Sequence, residues 1–216
     1  MESPCLIYGT VLLLGYLLGA IPFGFLVAKA KGVNILKVGS GNVGATNVRR
    51  TVGRRAGLCV FFLDAAKGIL AASLPDWHWI FGRVSGNTLP LAMVGLLGAV
   101  IGHSFSIFLK FRGGKGVSVV VGGIFAAMPN LLILGAITWV AVFSTTRFVS
   151  LASLCFCLTL PLCSYVFAYP PAANGLVLAM VIIVFIRHLP NIRRLLNGTE
   201  YRFDLERYPT PTDGKE

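Results

Sequence analysis

The chain is 216 residues long, 56% apolar and only 12% charged, with a mean hydropathy of +0.79 and a formal net charge of +11. Soluble domains carry about 25% charged residues, and the apolar length here exceeds what one soluble core can bury. A soluble globular protein is excluded, and a membrane-embedded one is expected.

Seven apolar segments follow one another at about 5–29, 56–74, 88–109, 116–127, 129–145, 149–168 and 173–187. Most approach the roughly 20 apolar residues that a membrane-crossing helix needs. The first contains Gly19-Ala20-Ile21-Pro22-Phe23-Gly24, so a break near Pro22 is expected. It does not read as a signal peptide, because Glu2 stands where a basic region belongs and the apolar run is too long. The fourth is short and closes at Met128-Pro129-Asn130, a turn signal; it either crosses alone or joins the fifth as a re-entrant pair. Cys5, Cys59, Cys155, Cys157 and Cys163 lie in or beside these segments at no metal or redox spacing and read as small packing residues. The closing stretch TEYRFDLERYPTPTDGKE is polar and reads as a mobile tail.

Charge sets the orientation. Of 19 Lys and Arg, seven lie at 29–55, three at 110–115, one at Arg147 and six from Arg187 onward, all on one face if the segments alternate. Arg83 stands alone on the other face, and Lys67 lies inside the second segment. Basic loops mark the cytoplasmic side. The expected fold is an all-α integral membrane protein with seven transmembrane helices, amino terminus outside and carboxyl terminus cytoplasmic. One helical domain covers 1–200 and a polar cytoplasmic tail covers 201–216. His78 with Trp77 and Trp79 falls on the outer face as an interfacial anchor. The positive charge belongs to a membrane face near anionic lipid, and no nucleic-acid partner is expected.

Residues 33–47, VNILKVGSGNVGATN, present a false lead. Gly39, Gly41 and Gly44 spell G-x-G-x-x-G, and Asp64 follows 20 residues after Gly44, as in a dinucleotide-binding fold. That fold needs an open parallel sheet, whereas this stretch lies between two membrane segments and Asp64 falls about nine residues inside the second. A P-loop fails too, since Ala45 stands where its Lys belongs. The underlying chemistry survives: a Gly/Ser/Asn/Thr turn brings backbone N–H groups to an anion, and Arg49 and Arg50 follow at once.

Two more polar stretches fall on the same face. In GHSFSIFLKFRGGKGVS (102–118), the turn Gly113-Gly114-Lys115-Gly116 opens the fourth segment and places a cation at a helix start. In IRHLPNIRRLLNGTEY (186–201), His188, Asn191 and Arg194 recur at i, i+3 and i+6 with Arg193 beside them. If the helix continues through Pro190, His188 and Asn191 share a face. Asp64 and Lys67, at i and i+3, are expected to neutralise each other inside the bundle. His103 has two readings, a hydrogen-bonded support for the loop or a catalytic group.

IPFG, GSGNVGATNVRR, DAAKG, GHSFSIFLKFRGGKGV and RHLPNIRRLLNGTE, in this order over nearly the whole chain, resemble the bacterial acyl-phosphate-dependent glycerol-3-phosphate acyltransferases, the PlsY family. Ala20 departs from the Ser common in relatives. The resemblance implies a multi-pass enzyme of the bacterial cytoplasmic (inner) membrane with its site on the cytoplasmic face. It implies acyl transfer from acyl phosphate to glycerol 3-phosphate, giving lysophosphatidate and inorganic phosphate. By motif, the catalytic candidates are Ser40, Lys115, His188 and Asn191. The candidates for binding substrate phosphate are Gly41, Thr46, Asn47, Arg50, Gly113, Gly114, Gly116, Ser153 and one or both of Arg193 and Arg194. No cofactor and no catalytic metal are expected, and the protein is expected to be a monomer.

Two phosphate-bearing substrates demand a cationic pocket. Phosphate is a good leaving group, so the demanding steps are placing the glycerol hydroxyl against the acyl carbonyl and removing its proton. Either His188 or a substrate phosphate, whose pKa is about 6, takes that proton. The alternative function is a phosphate or organophosphate transporter. Such a protein usually carries its site near the bilayer midplane between repeated halves, and no repeat is visible here.

Overall fold

The computed structural model describes residues 4–77 and 86–203. Nine α-helices are assigned there: α1 (Pro4–Ala20), α2 (Phe23–Ala30), α3 (Ala45–Thr51), α4 (Arg54–Ala72), α5 (Leu89–Ser104), α6 (Val117–Ala127), α7 (Pro129–Thr146), α8 (Val149–Val166) and α9 (Pro171–Leu196). No strand occurs among the described residues, which removes the sheet that a dinucleotide-binding fold requires. Five stretches are long and apolar enough to cross a bilayer: Cys5–Ala30, Leu89–Leu109, Pro129–Thr146, Val149–Val166 and Pro171–Leu196. The expected anchors His78 and Trp79 and the lone Arg83 lie outside the described residues. Trp77 packs beside Val11, Leu74 and Leu91.

Helices in lipid gain little from apolar contact alone and approach closely through small residues. Here α1 and α5 each carry a G-x-x-x-G step, Gly15/Gly19 and Gly98/Gly102. A Cβ at any of these four would strike the backbone of the facing helix. Gly68 of α4 meets Val119 of α6, and Gly122 of α6 meets Ala65 of α4, in the same way. These seams hold α1 on α5 and α4 on α6, while α7 packs on α8 and α8 on α9. The larger core, around Met93, Leu96, Ile124, Leu131, Phe156 and Met180, fills the space between them.

The break at Ile21-Pro22 occurs as expected and separates α1 from α2. A broken helix frees carbonyls that lipid cannot satisfy. Lys67 reaches across from α4 and donates to Gly19 O at 3.0 Å and Ile21 O at 2.8 Å. Ser106 Oγ donates to Ala20 O at 2.6 Å. The Lys67 ammonium also meets Asp64 Oδ1 at 2.8 Å as a charge contact and His103 Nδ1 at 3.2 Å. Lys67 is 2% exposed and Asp64 1%, so each charge depends on the other and on these carbonyls.

Lys67→Met is expected to destabilise the protein by about 3–5 kcal/mol, because it leaves a buried carboxylate without its partner. Detergent-solubilised variant and parent compared by thermal unfolding check this; an unchanged midpoint would remove the structural role assigned to Lys67.

Candidate functional site

The three polar stretches meet at one end of the bundle. In the first, Gly39 and Gly41 take positive φ of 60° and 67°, which glycine adopts freely, and fold residues 38–44 around Asn47. Asn47 Nδ2 donates to Val38 O and Asn42 O, and its Oδ1 accepts from the Ser40 amide at 2.9 Å. Its amide group organises the loop from inside. Gly41, a candidate phosphate ligand by motif, donates its N–H to Val38 O at 3.0 Å.

The second stretch is built on His103. The Gly114 amide donates to His103 O at 2.9 Å, and a Cβ at Gly113 or Gly114 would fall on the His103 carbonyl or ring. With Nδ1 on Lys67, His103 supports the loop, and it also lines the cavity described below, so both readings given to it stand. Gly113 and Gly114 stand behind the cavity surface, while Lys115 and Gly116 line it. Gly116, at φ 87°, caps the start of α6.

The third stretch is one continuous helix through Pro190, so His188 and Asn191 do share a face. Arg187, one residue earlier, donates to Gly113 O at 2.9 Å and Gly114 O at 3.1 Å. Asn42 reaches the same Gly113 carbonyl at 3.5 Å. One backbone carbonyl thus ties all three stretches together.

A cavity of about 670 Å³ opens between them, within the 300–1,000 Å³ usual for small-molecule sites. Its polar lining includes Ser40, Thr46, Arg50, Lys115, His188 and Arg194, and its apolar lining Leu58, Phe61, Leu132, Trp139, Phe143 and Phe156. Asn47, Gly116, Ser153 and Asn191 also line it. Arg193 does not line it and is exposed; helical spacing from His188 and Asn191 selects Arg194. Ser153 Oγ accepts from Trp139 Nε1 at 3.4 Å, which joins a polar lining residue to an apolar one. His188, 2% exposed, has Nδ1 at 2.8 Å from Val184 O. A carbonyl only accepts, so Nδ1 carries the hydrogen and Nε2 is left as an acceptor.

Sequence reading missed Glu200. Its carboxylate accepts from Ser150 Oγ at 2.8 Å, Asn191 Nδ2 at 2.6 Å and Arg194 Nε at 2.7 Å. Burial pushes the Glu200 carboxyl up, but these hydrogen bonds and the Arg194 charge outweigh it and hold it below the usual carboxylate range. The stretch 199–203, expected as the start of a mobile tail, is therefore fastened to the site. An available signal was its place as the one acid in a stretch carrying Arg187, Arg193 and Arg194.

Lys115 is pushed down to about 8, first by burial and then by the charges of Arg194, Arg50 and Arg187, with Glu200 opposing. The site therefore gathers positive charge in a partly buried space, and an arriving anion relieves it. Raising the pH through about 8 removes the Lys115 proton. kcat/KM for a phosphate substrate should then be flat to about pH 8 and fall above it. Lys115→Arg should move that alkaline limb beyond pH 10; a limb unmoved in this variant would assign it to another group.

Taken together, the helices and the cavity define an integral membrane protein with a cavity lined by cationic and apolar side chains where its three polar stretches meet. The chain belongs to the glycerol-3-phosphate acyltransferase family, whose model matches residues 9–198. Glycerol-3-phosphate acyltransferase of Aquifex aeolicus is 42% identical over 195 residues, covering 89% of this chain and 97% of that one. The Geobacter sulfurreducens protein of the same name is 40% identical over 190 residues, covering 87% and 93%. Crystal structures of PlsY (YgiH), an integral membrane glycerol 3-phosphate acyltransferase, are 38% identical. The glycerol 3-phosphate form superposes with a TM-score of 0.82 over 91% of this chain and 96% of that one, and the lysophosphatidic acid form with 0.80 over 91% and 95%.

Proposed function

We propose that this protein transfers a fatty acyl group from acyl phosphate to the hydroxyl of glycerol 3-phosphate, releasing lysophosphatidate and inorganic phosphate. The observation that carries this reading is the cavity itself, which Arg50, Lys115 and Arg194 line together with His188 and a set of apolar and aromatic side chains. The cations hold the two phosphates, and Ser40, Thr46 and Ser153 orient the reacting groups. The apolar side chains take the acyl chain, at about 0.8 kcal/mol per buried CH₂. Asn191 is held by Glu200 through its Nδ2, so its carbonyl oxygen faces substrate as an acceptor.

In the step itself, the glycerol hydroxyl oxygen attacks the acyl carbonyl carbon, the bond from that carbon to the phosphate oxygen breaks, and the departing phosphate takes the hydroxyl proton. His188 and Asn191 orient the glycerol 3-phosphate. No cofactor or metal enters these steps.

The same proposal places the protein as a monomer in the bacterial inner membrane, amino terminus outside, with the site facing the cytoplasm. Seven crossings follow if α1 and α2 count as one and α4 and α6 are included. At 1.5 Å per residue α6 is only about 16 Å long, the shortest of the seven. Purified protein in lipid nanodiscs, given palmitoyl phosphate and labelled glycerol 3-phosphate, should release one phosphate per lysophosphatidate formed. Label accumulating inside proteoliposomes without product would establish a transporter instead.

A further inference from the structure

Arg187 grips the turn that carries Lys115 without lining the cavity itself. Its Nη2 donates to Gly113 O at 2.9 Å and its Nε to Gly114 O at 3.1 Å, so one planar fork holds two successive carbonyls. The centre of the Phe105 ring, just past the end of α5, lies 5.3 Å from the guanidinium carbon. Phe105 is held in turn by Tyr16 of α1, whose hydroxyl donates to Phe105 O at 3.0 Å. Gly113 and Gly114 stand behind the cavity surface, whereas Lys115, Gly116 and Val117 form part of it. The fork therefore holds the turn from behind. In a trans peptide the C=O and the following N–H point in opposite directions. With Gly113 O on Arg187, the Gly114 N–H lands on His103 O at 2.9 Å. With Gly114 O on Arg187, the Lys115 N–H is turned away from Arg187 in the same way.

We infer that Arg187 is a positioning residue for glycerol 3-phosphate, its guanidinium fork fixing the Gly113–Gly114 turn so that Lys115 is presented to the substrate phosphate. This rests on the proposed reading of the cavity as a glycerol 3-phosphate site. Arg187 precedes His188 on α9, and in that reading His188 and Asn191 orient glycerol 3-phosphate. The fork thus ties the turn that brings Lys115 to the helix that brings His188 and Asn191, and both reach one substrate in a fixed relation. The glycines make an outside clamp necessary. Gly113, Gly114 and Gly116 have no side chains to hold the turn and wide backbone freedom, so its order comes from His103 and from Arg187. A planar guanidinium with two fixed donors sets two peptide planes at once, which a point charge does not. Arg187 therefore acts through the geometry of its donors, beyond its charge.

Geometry and charge are separable by substitution, since Arg187→Lys keeps the charge and removes the fork. In nanodiscs, Arg187→Lys should weaken the Kd and raise the KM for glycerol 3-phosphate about tenfold, the worth of one charge-assisted hydrogen bond. kcat and the KM for palmitoyl phosphate should stay within about twofold, and the unfolding midpoint should stay close to that of the parent. The alkaline limb of kcat/KM should stay near pH 8, because the positive charge near Lys115 is kept. Parent-like glycerol 3-phosphate binding by Arg187→Lys would overturn the inference, since charge alone would then suffice. So would an equal loss in both KM values and kcat with a lowered midpoint, since that marks a residue that only holds the fold together. Should Arg187→Lys not fold, Phe105→Leu is the second probe, because it removes the ring beside the guanidinium and leaves the fork's donors in place. It should weaken glycerol 3-phosphate binding about two- to fivefold, the size of one cation–π contact, with the KM for palmitoyl phosphate unchanged; parent-like binding there would equally overturn the inference. If the parent binds glycerol 3-phosphate but transfers no acyl group, the reaction assigned above fails while the Kd series still judges Arg187. If the parent binds none, both are overturned.

Discussion

A Lys115→Met protein is expected to lose about 10²–10³-fold in kcat/KM for glycerol 3-phosphate, the usual effect of removing one preorganised charged donor from a partly dry site. Its fold should survive. A lysine pushed down to about 8 binds its proton less tightly in the folded chain than in the unfolded one, where its pKa is near 10.4. Below pH 8 its charge therefore costs the fold stability, and methionine removes that cost. The expected result is an unfolding midpoint at or above that of the parent beside a collapsed kcat/KM. This is the opposite pattern to Lys67→Met, although both residues are largely enclosed lysines. The difference lies in their partners: Lys67 is met by Asp64 and two freed carbonyls, and Lys115 is crowded by arginines. A Lys115→Met protein with parent-like kinetics would show that the phosphates bind elsewhere.

His188→Ala is the second large effect. If His188 orients glycerol 3-phosphate and phosphate takes the proton, kcat/KM should fall about 10²-fold with a raised KM for glycerol 3-phosphate. If His188 is itself the base, kcat should fall by about 10²–10⁴ with KM nearly unchanged. The hydrogen bond from Nδ1 to Val184 O fixes the tautomer in either case. No carboxylate holds that nitrogen, so the support usual for a strongly basic catalytic histidine is replaced by a backbone carbonyl, which favours the orienting role. Initial-rate kinetics with each substrate varied in turn separate the two outcomes.

Much of this architecture was legible because it is written in local pattern. Pro22 announced the break, the short run before Met128-Pro129 announced α6, and the spacing of His188, Asn191 and Arg194 announced a shared face that Pro190 does not interrupt. The convergence of three polar stretches followed from alternation of apolar segments and the clustering of basic residues. What local pattern does not contain is the direction of a side chain within a folded loop. Asn47 lines the cavity, but its amide group is also engaged by Val38 O, Asn42 O and the Ser40 N–H. Gly113 and Gly114 read as anion-contacting glycines, yet their lack of a Cβ is needed to admit His103 from behind. Arg187 lay in the third motif unread because its partners, Gly113 O and Gly114 O, are more than 70 residues away.

The first residues after α9, 199–203, were misjudged for a related reason, while the rest of the expected tail, 204–216, lies outside the described residues. Polarity and proline made TEYRFDLERYPTPTDGKE look solvated throughout, although Asn197-Gly198 is a turn signal of the kind that ends a helix and reverses the chain. Glu200, Tyr201 and Phe203 find their partners only once that turn is made, on helices far apart in sequence. A charge census of the site done from sequence therefore counts the cations and misses the one acid that organises Asn191 and Arg194.

The central claim is the identity of the acyl donor and acceptor. The most direct measurement gives purified protein in lipid the same labelled glycerol 3-phosphate with palmitoyl phosphate, palmitoyl-CoA or palmitoyl carrier protein in parallel. The account predicts lysophosphatidate from palmitoyl phosphate alone, since a site built around Arg50, Lys115 and Arg194 is matched to a phosphate leaving group. Comparable product from either thioester, or none from palmitoyl phosphate, would contradict it.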